Sequence, residues 1–186
     1  MRELGRQASE NYAGSFLVAH PNMLDPNFRR AVLFISAHTA DEGATGIILN
    51  RPLEKSVGEL VTDAPPNGLE NVPVFFGGPV QRDRLMFAAV EWRSGKGLHF
   101  NPTVDLEEAN ARAGKDPNSV RAFIGYAGWS AGQLEAEIKQ NAWITRKADR
   151  AALKLESLPK LWFQIMRGLG PWFKMLAAAP DDPSLN

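Results

Sequence analysis

Cysteine is absent from the 186 residues. Disulfides, thiolate catalysis, iron–sulfur clusters and the usual structural zinc sites are thereby excluded, and a reducing compartment fits. Only three histidines occur, His20, His38 and His99. None forms a local pair such as H-x-x-x-H, so a metal would need tertiary structure to gather them with Asp25. No apolar run approaches the roughly 20 residues that span a bilayer, and no membrane partner is expected. Met1 to Tyr12 are polar and lack the apolar segment of a signal peptide. The expectation is a cytoplasmic protein with a flexible N-terminal extension over residues 1–13 and one domain over 14–186. Excess charge is also missing: 21 basic residues balance 21 acidic ones. Net charge therefore gives no global reason to expect nucleic acid or membrane.

Present instead are an ordinary hydrophobic content of 44% and enough length for a substantial single core. The chain is organised around Ala44-Thr45-Gly46-Ile47-Ile48-Leu49-Asn50-Arg51-Pro52. Three consecutive large apolar residues cannot share one side of a pleated strand, so Ile47 to Leu49 should be covered on both faces. Pro52 then takes the chain out of any central ladder and leaves Asn50 and Arg51 at the rim of the core.

Strands are predicted over residues 15–19, 31–38, 45–49, 72–76, 85–90, 98–100 and 120–126, with the second and third as hairpin partners. Ser56 with Glu59, and Asp105 with Glu108, are capping-box patterns that open helices. A third helix is predicted over 130–140, with Ser130 as N-cap. Leu158, Leu161, Trp162, Ile165, Met166 and Leu169 form one helical stripe, begun near Pro159 and ended by Gly168 to Pro171. At least six strands interrupted by about four short helices make this an α+β domain with a mixed β-sheet.

Gly128-Trp129-Ser130-Ala131-Gly132 fits G-x-S-x-G, the nucleophile elbow of serine hydrolases, with a predicted strand before it and a helix after it. In that fold the histidine follows the serine, whereas all three histidines here precede it. Ser130 with Gln133 is better read as a capping box at a helix start. The same turn lacks the spacing of a P-loop or a dinucleotide fingerprint, and no cofactor is expected.

Three strand endings share a form: His20-Pro21-Asn22, Asn50-Arg51-Pro52 and Gly77-Gly78-Pro79. Each stops an apolar strand with groups that bind, or that allow close backbone approach. If the strands are neighbours, His20, Asn22, Asn50, Arg51, Gly77 and Gly78 line one cleft for a small molecule or a protein partner. On that reading, alanine at Asn50 and Arg51 removes binding and spares the fold. The alternative is that prolines simply end strands while Asn50 and Arg51 hydrogen-bond loop carbonyls. From Lys139 to Lys174, eight basic residues face only Asp149 and Glu156, a net of +6. Trp143, Trp162 and Trp172 are interleaved there, a pattern of single-strand nucleic-acid sites. Trp162, however, lies on the apolar helix stripe, and a solvated basic face over a buried aromatic stripe is the better account.

Taken together, Gly14 to Pro21, Asp25 to Phe28, Gly46 to Pro52, Phe76 to Val80, Gly125 to Trp129, Gly132 to Glu135, Trp143 and Asp182 to Asn186 resemble the YqgE/AlgH family of bacterial proteins. The resemblance implies a folded-over mixed sheet with a few helices and an activity that is not established. Some members are labelled transcriptional regulators, although nothing in this chain resembles a helix-turn-helix. Typical members have glycine where this chain has Ser130, which counts against a family-wide serine nucleophile. Residues 146–160 match the family pattern poorly. The expectation is a regulatory binding protein, with a nucleic-acid-binding regulator and a Ser130 hydrolase as the alternatives.

Overall fold

In the computed structural model, which describes residues 11–63 and 66–179, the apolar runs become the centre of a curled nine-stranded sheet. Strands β1 (Ser15–Ala19), β2 (Val32–Thr39) and β3 (Gly43–Ile48) pair in sequence order and antiparallel. Their side chains divide by alternation. Phe16, Val18, Val32, Phe34, Ile47 and Leu49 enter one core, while Leu17, Ala19, Leu33, Ile35 and Ile48 enter the core on the opposite face. Continuous apolar runs are thus used on both sides of one sheet.

Past Pro52, the chain forms β4 (Pro52–Ser56), which was not predicted. It lies at an edge and pairs only with β5 (Pro73–Phe76), at Pro52 and Ser56. An edge tolerates a residue with no N–H. Helix α1 (Val57–Leu60) opens as the sequence requires, with the Glu59 carboxylate accepting the Ser56 N–H at 2.7 Å. That hydrogen bond holds the Glu59 carboxyl below its ordinary range.

The second half of the sheet contains the long β6 (Val80–Arg93), β7 (Gly97–Val104) and β8 (Val120–Trp129). A register shift between Val80 and Leu85 breaks the β6–β8 ladder. Between β7 and β8 lies α2 (Leu106–Ala113), capped by Asp105 through the Glu108 N–H at 2.8 Å. Strand β8 is the hinge of the fold-over. Residues Ala122 to Ile124 lie between β5, which runs parallel, and β6, which runs antiparallel, whereas Ala127 to Trp129 pair with β3. Strand order across the main path of the sheet is β4-β5-β8-β3-β2-β1, and the final strand β9 (Trp143–Lys147) ends it beside β1.

The helices differ from the sequence reading in three details. Helix α3 is Gln133–Lys139 with left-handed Gly132 at its N-cap, so Ser130 precedes the helix instead of capping it. The stripe around Trp162 is divided into a 3-10 turn over Leu155–Lys160, which contains Pro159, and α4 (Leu161–Gly168). Pro171 begins a fifth helix, α5 (Pro171–Ala177), where it was read as a terminator. The first ten residues of the expected N-terminal extension, and the Asp182 to Asn186 motif, lie outside the described residues.

Candidate functional site

Antiparallel pairing of β1, β2 and β3 places the end of β1, the start of β2 and the end of β3 along one rim. Ala19 N–H donates to the Ala31 carbonyl, and Leu49 N–H to the Val32 carbonyl. The Gly77 turn joins this rim from the other side: Ile48 N–H donates to the Gly77 carbonyl, and Gly77 N–H to that of Ile124. His20 and Asn50 end strands separated by β2 alone, two interstrand spacings or ~10 Å apart.

Asn50 is tied to backbone. Its Oδ1 accepts the Val32 N–H at 2.8 Å, and its Nδ2 donates to the Arg30 carbonyl at 2.9 Å. The amide thereby completes the ladder between β2 and β3 beyond the last regular pair. Arg51 donates to the carbonyls of Pro26 at 3.2 Å and Arg29 at 2.8 Å. These bonds hold the loop of residues 21–30 across the rim. Burial lowers the Arg51 pKa, nearby Arg29 lowers it further, and Asp25 acts in the opposite sense. Its guanidinium lies 6.0 Å from the Phe76 ring centroid, and Arg82 lies 5.4 Å from the same ring.

Gly77 and Gly78 permit close approach. A Cβ on Gly77 would stand 2.1 Å from the Gly125 carbonyl oxygen, and one on Gly78, whose φ is +153°, 2.2 Å from the Tyr126 carbonyl carbon. Both glycines are buried within the sheet crossing.

His20 and Asn22 face outward. Together with Met23, Leu24, Asn141 and Ala142 they line a depression of about 390 Å³. The His20 Nδ1 accepts the Asn22 N–H at 3.2 Å, and the ring meets Phe173 edge-on at 6.0 Å. An accepting Nδ1 leaves the proton of the neutral ring on Nε2. Partial burial lowers the His20 pKa, which favours that neutral form. The same rim is fastened to the C-terminal helices: Trp162 Nε1 donates to the Ala19 carbonyl at 2.7 Å, and Arg30 Nη2 to that of Ala179 at 2.8 Å.

The other sequence candidates lie elsewhere. Ser130 donates its hydroxyl proton to Gln133 Oε1 at 3.2 Å. His38, the histidine on the α3 side of the sheet, has Nδ1 accepting from Tyr12 N–H at 3.2 Å and Nε2 bonded to Glu135 at 3.0 Å. Both ring nitrogens are occupied without involving Ser130. Glu137 accepts from Gln133, Trp129 and Trp143, so the turn after β8 is a hydrogen-bonded support for two indoles. His99 lies on β7 opposite Glu91 of β6, with its Nδ1 3.6 Å from that carboxylate. Among the described residues no three His, Asp or Glu side chains form a metal-holding group. Trp143 and Trp162 are buried, and Trp172 is 62% exposed. The basic third therefore offers bases one open indole rather than three.

Two features escaped the sequence reading. Arg121 is fully buried in β8, with one bond to the Ala152 carbonyl and no partner for Nε or Nη1 among the described residues. Burial lowers its pKa to about 10. The second is an apolar groove of about 760 Å³ between α4 and α5. Phe163 falls off the buried stripe of α4, and that offset was the available signal.

A mixed sheet folded over β8, with a loop clamped across one rim by Asn50 and Arg51, defines a small α+β domain whose strand ends are its most elaborated surface. The AlgH-like family model (DUF179) matches residues 16–174, and the chain belongs to that family. A UPF0301 protein of Thermobifida fusca is 37% identical, covering 93% of this chain and 94% of the relative. The solution structure of the AlgH protein from Pseudomonas aeruginosa superposes with a TM-score of 0.66 at 32% identity, covering 97% of this chain and 98% of that one. Protein DIP2367 from Corynebacterium diphtheriae shares the fold at a TM-score of 0.64 and 20% identity. No described helix is long and apolar enough to cross a membrane.

Proposed function

We propose that this protein acts by binding rather than by catalysis, with a regulatory role in the bacterial cytoplasm, and that the strand-end rim is its recognition surface. The supporting observation is the division of labour at the rim. Asn50, Arg51, Gly77 and Gly78 fix the backbone, while His20 and Asn22 line the adjoining depression. The neutral imidazole presents an Nε2–H donor, and the Asn22 amide supplies both a donor and an acceptor, a set suited to a small polar molecule. Asn50 and Arg51 are positioning residues in this account.

A thermal-shift screen of metabolites, nucleotides and metal ions on the full chain tests it, because a ligand that binds only the folded state raises Tm. The expected result is a stabilising polar ligand whose effect is lost in His20→Ala/Asn22→Ala, with the unliganded Tm unchanged. A ligand shift that survives the double substitution, or no shift from any of the three classes, contradicts the proposal.

A further inference from the structure

The helical pair α4 and α5 buries one face against the sheet and leaves the other uncovered. Inward go Leu161, Trp162, Ile165, Met166 and Ala177. Outward, Phe163 is 38%, Trp172 62% and Met175 57% exposed. These are three of the seven large hydrophobic side chains left exposed among the described residues, and they fall within one short stretch of chain. Exposed apolar side chains gathered in one region mark a surface that something else covers, and two of these three, Phe163 and Met175, share one groove.

The groove between the helices has Phe163, Met175 and Ala178 in its walls, with Lys160, Arg167 and Lys174 around its margin. Among the described residues, no Asp or Glu lines it. A methionine wall adapts to varied side chains. The cations are spread out: Lys160, which ends the 3-10 turn and caps α4, and Arg167 on α4 are seven residues apart, roughly 10 Å along the axis, and Lys174 is on the opposite helix. A single anionic head group cannot reach all three, whereas a segment with several carboxylates can. An apolar floor with separated cations on both banks is the counterpart of an amphipathic helix with acidic flanks.

We infer that the α4–α5 groove is a docking site for an amphipathic, acidic helix of a partner protein, with apolar side chains seated on Phe163 and Met175 and carboxylates paired with Lys160, Arg167 and Lys174. This site is separate from the His20–Asn22 depression and stands or falls independently of it.

The test uses the full chain and a fluorescein-labelled peptide of about four helical turns, with leucines at i, i+3, i+4 and i+7 and glutamates on either side. Saturable binding by fluorescence anisotropy is expected. It should weaken at least about tenfold in Phe163→Ser/Met175→Ser and in Lys160→Glu/Arg167→Glu/Lys174→Glu, with unchanged far-ultraviolet circular dichroism. A peptide with lysines in place of glutamates should bind the charge-reversed variant and not the parent, a rescue that mere structural support would not give. Absence of peptide binding, or binding indifferent to both variants, overturns the inference. It is equally overturned if anionic phosphatidylglycerol vesicles or myristate occupy the groove while the peptide does not. Concentration-dependent dimerisation abolished by Phe163→Ser also contradicts it, since the occupant is then a second copy.

Discussion

The strand-end rim and the C-terminal helical pair touch at His20, Phe173, Arg30 and Trp162, yet they treat side chains in opposite ways. At the rim, polar groups that look available in sequence are bound to backbone: the Asn50 Oδ1 serves Val32 at the start of β2, while its Nδ2 and two arms of the Arg51 guanidinium serve the loop of residues 21–30. On the helical pair, apolar side chains that look destined for a core remain in solvent. Asn50 and Arg51 are therefore weak signs of a ligand by themselves, and the polar groups that line a depression are His20 and Asn22 beside them. The physical reason is asymmetry of cost: an unpartnered buried amide or carbonyl is expensive, so nearby polar side chains are recruited to satisfy it.

Substitutions can break this contrast. The largest effect is expected at Gly77→Ala, where the added methyl would overlap the Gly125 carbonyl. A loss of about 4 kcal/mol or more, or failure to fold, is expected by urea denaturation. Next is Asn50→Ala, which leaves the Val32 N–H and Arg30 carbonyl without a partner and should cost about 2–4 kcal/mol in the same assay. Such a loss would decide between the two sequence readings of Asn50, since a purely ligand-contacting residue spares the fold. Arg121→Met should act in the other direction, adding about 1–2 kcal/mol, because the methionine removes a buried charge lacking two partners at the expense of one bond to Ala152. Above pH about 10 that gain should shrink, because the folded guanidinium releases its proton before the unfolded one.

Smaller effects sharpen the other side of the contrast. Trp172→Gln and Met175→Gln should change stability by no more than about 0.5 kcal/mol, since neither side chain supports the fold. The slightest expected effect is a pH slope from His20. Its folded pKa is below the ordinary 6.5, so the unfolded chain takes up the proton first as pH falls. Stability should rise with pH just below neutrality, and His20→Gln should flatten that slope in denaturant titrations at several pH values.

Local patterns were legible in the sequence, and long-range ones were not. The Ser56 and Asp105 caps involve partners three residues away and follow from the residues alone. Doubly buried strands were evident from uninterrupted apolar runs at Val32 and Ile47. Strand β9 was missed because Trp143-Ile144-Thr145-Arg146-Lys147 is short and ends in charge, as an edge strand bordered by solvent can. Helix α5 was missed because Pro171 both ends one helix pattern and suits the first turn of the next. The roles of Asn50 and Arg51 depend on carbonyls 20 to 25 residues earlier in the chain, and no local spacing encodes which loop will lie across a strand end. Arg121 belongs to the same class: its strand was predictable, but its burial depends on the 3-10 turn of Arg150–Leu153 packing over β8.

Hydrogen exchange at the Val32 amide tests the structural role of the rim most directly, because its N–H is held by the Asn50 side chain rather than by a neighbouring strand. The expected result is strong protection in the parent protein and at least about a hundredfold faster exchange in Asn50→Ala, against little change in His20→Ala. Rapid exchange in the parent, or equal protection after Asn50→Ala, would contradict the claim that this strand end builds the rim.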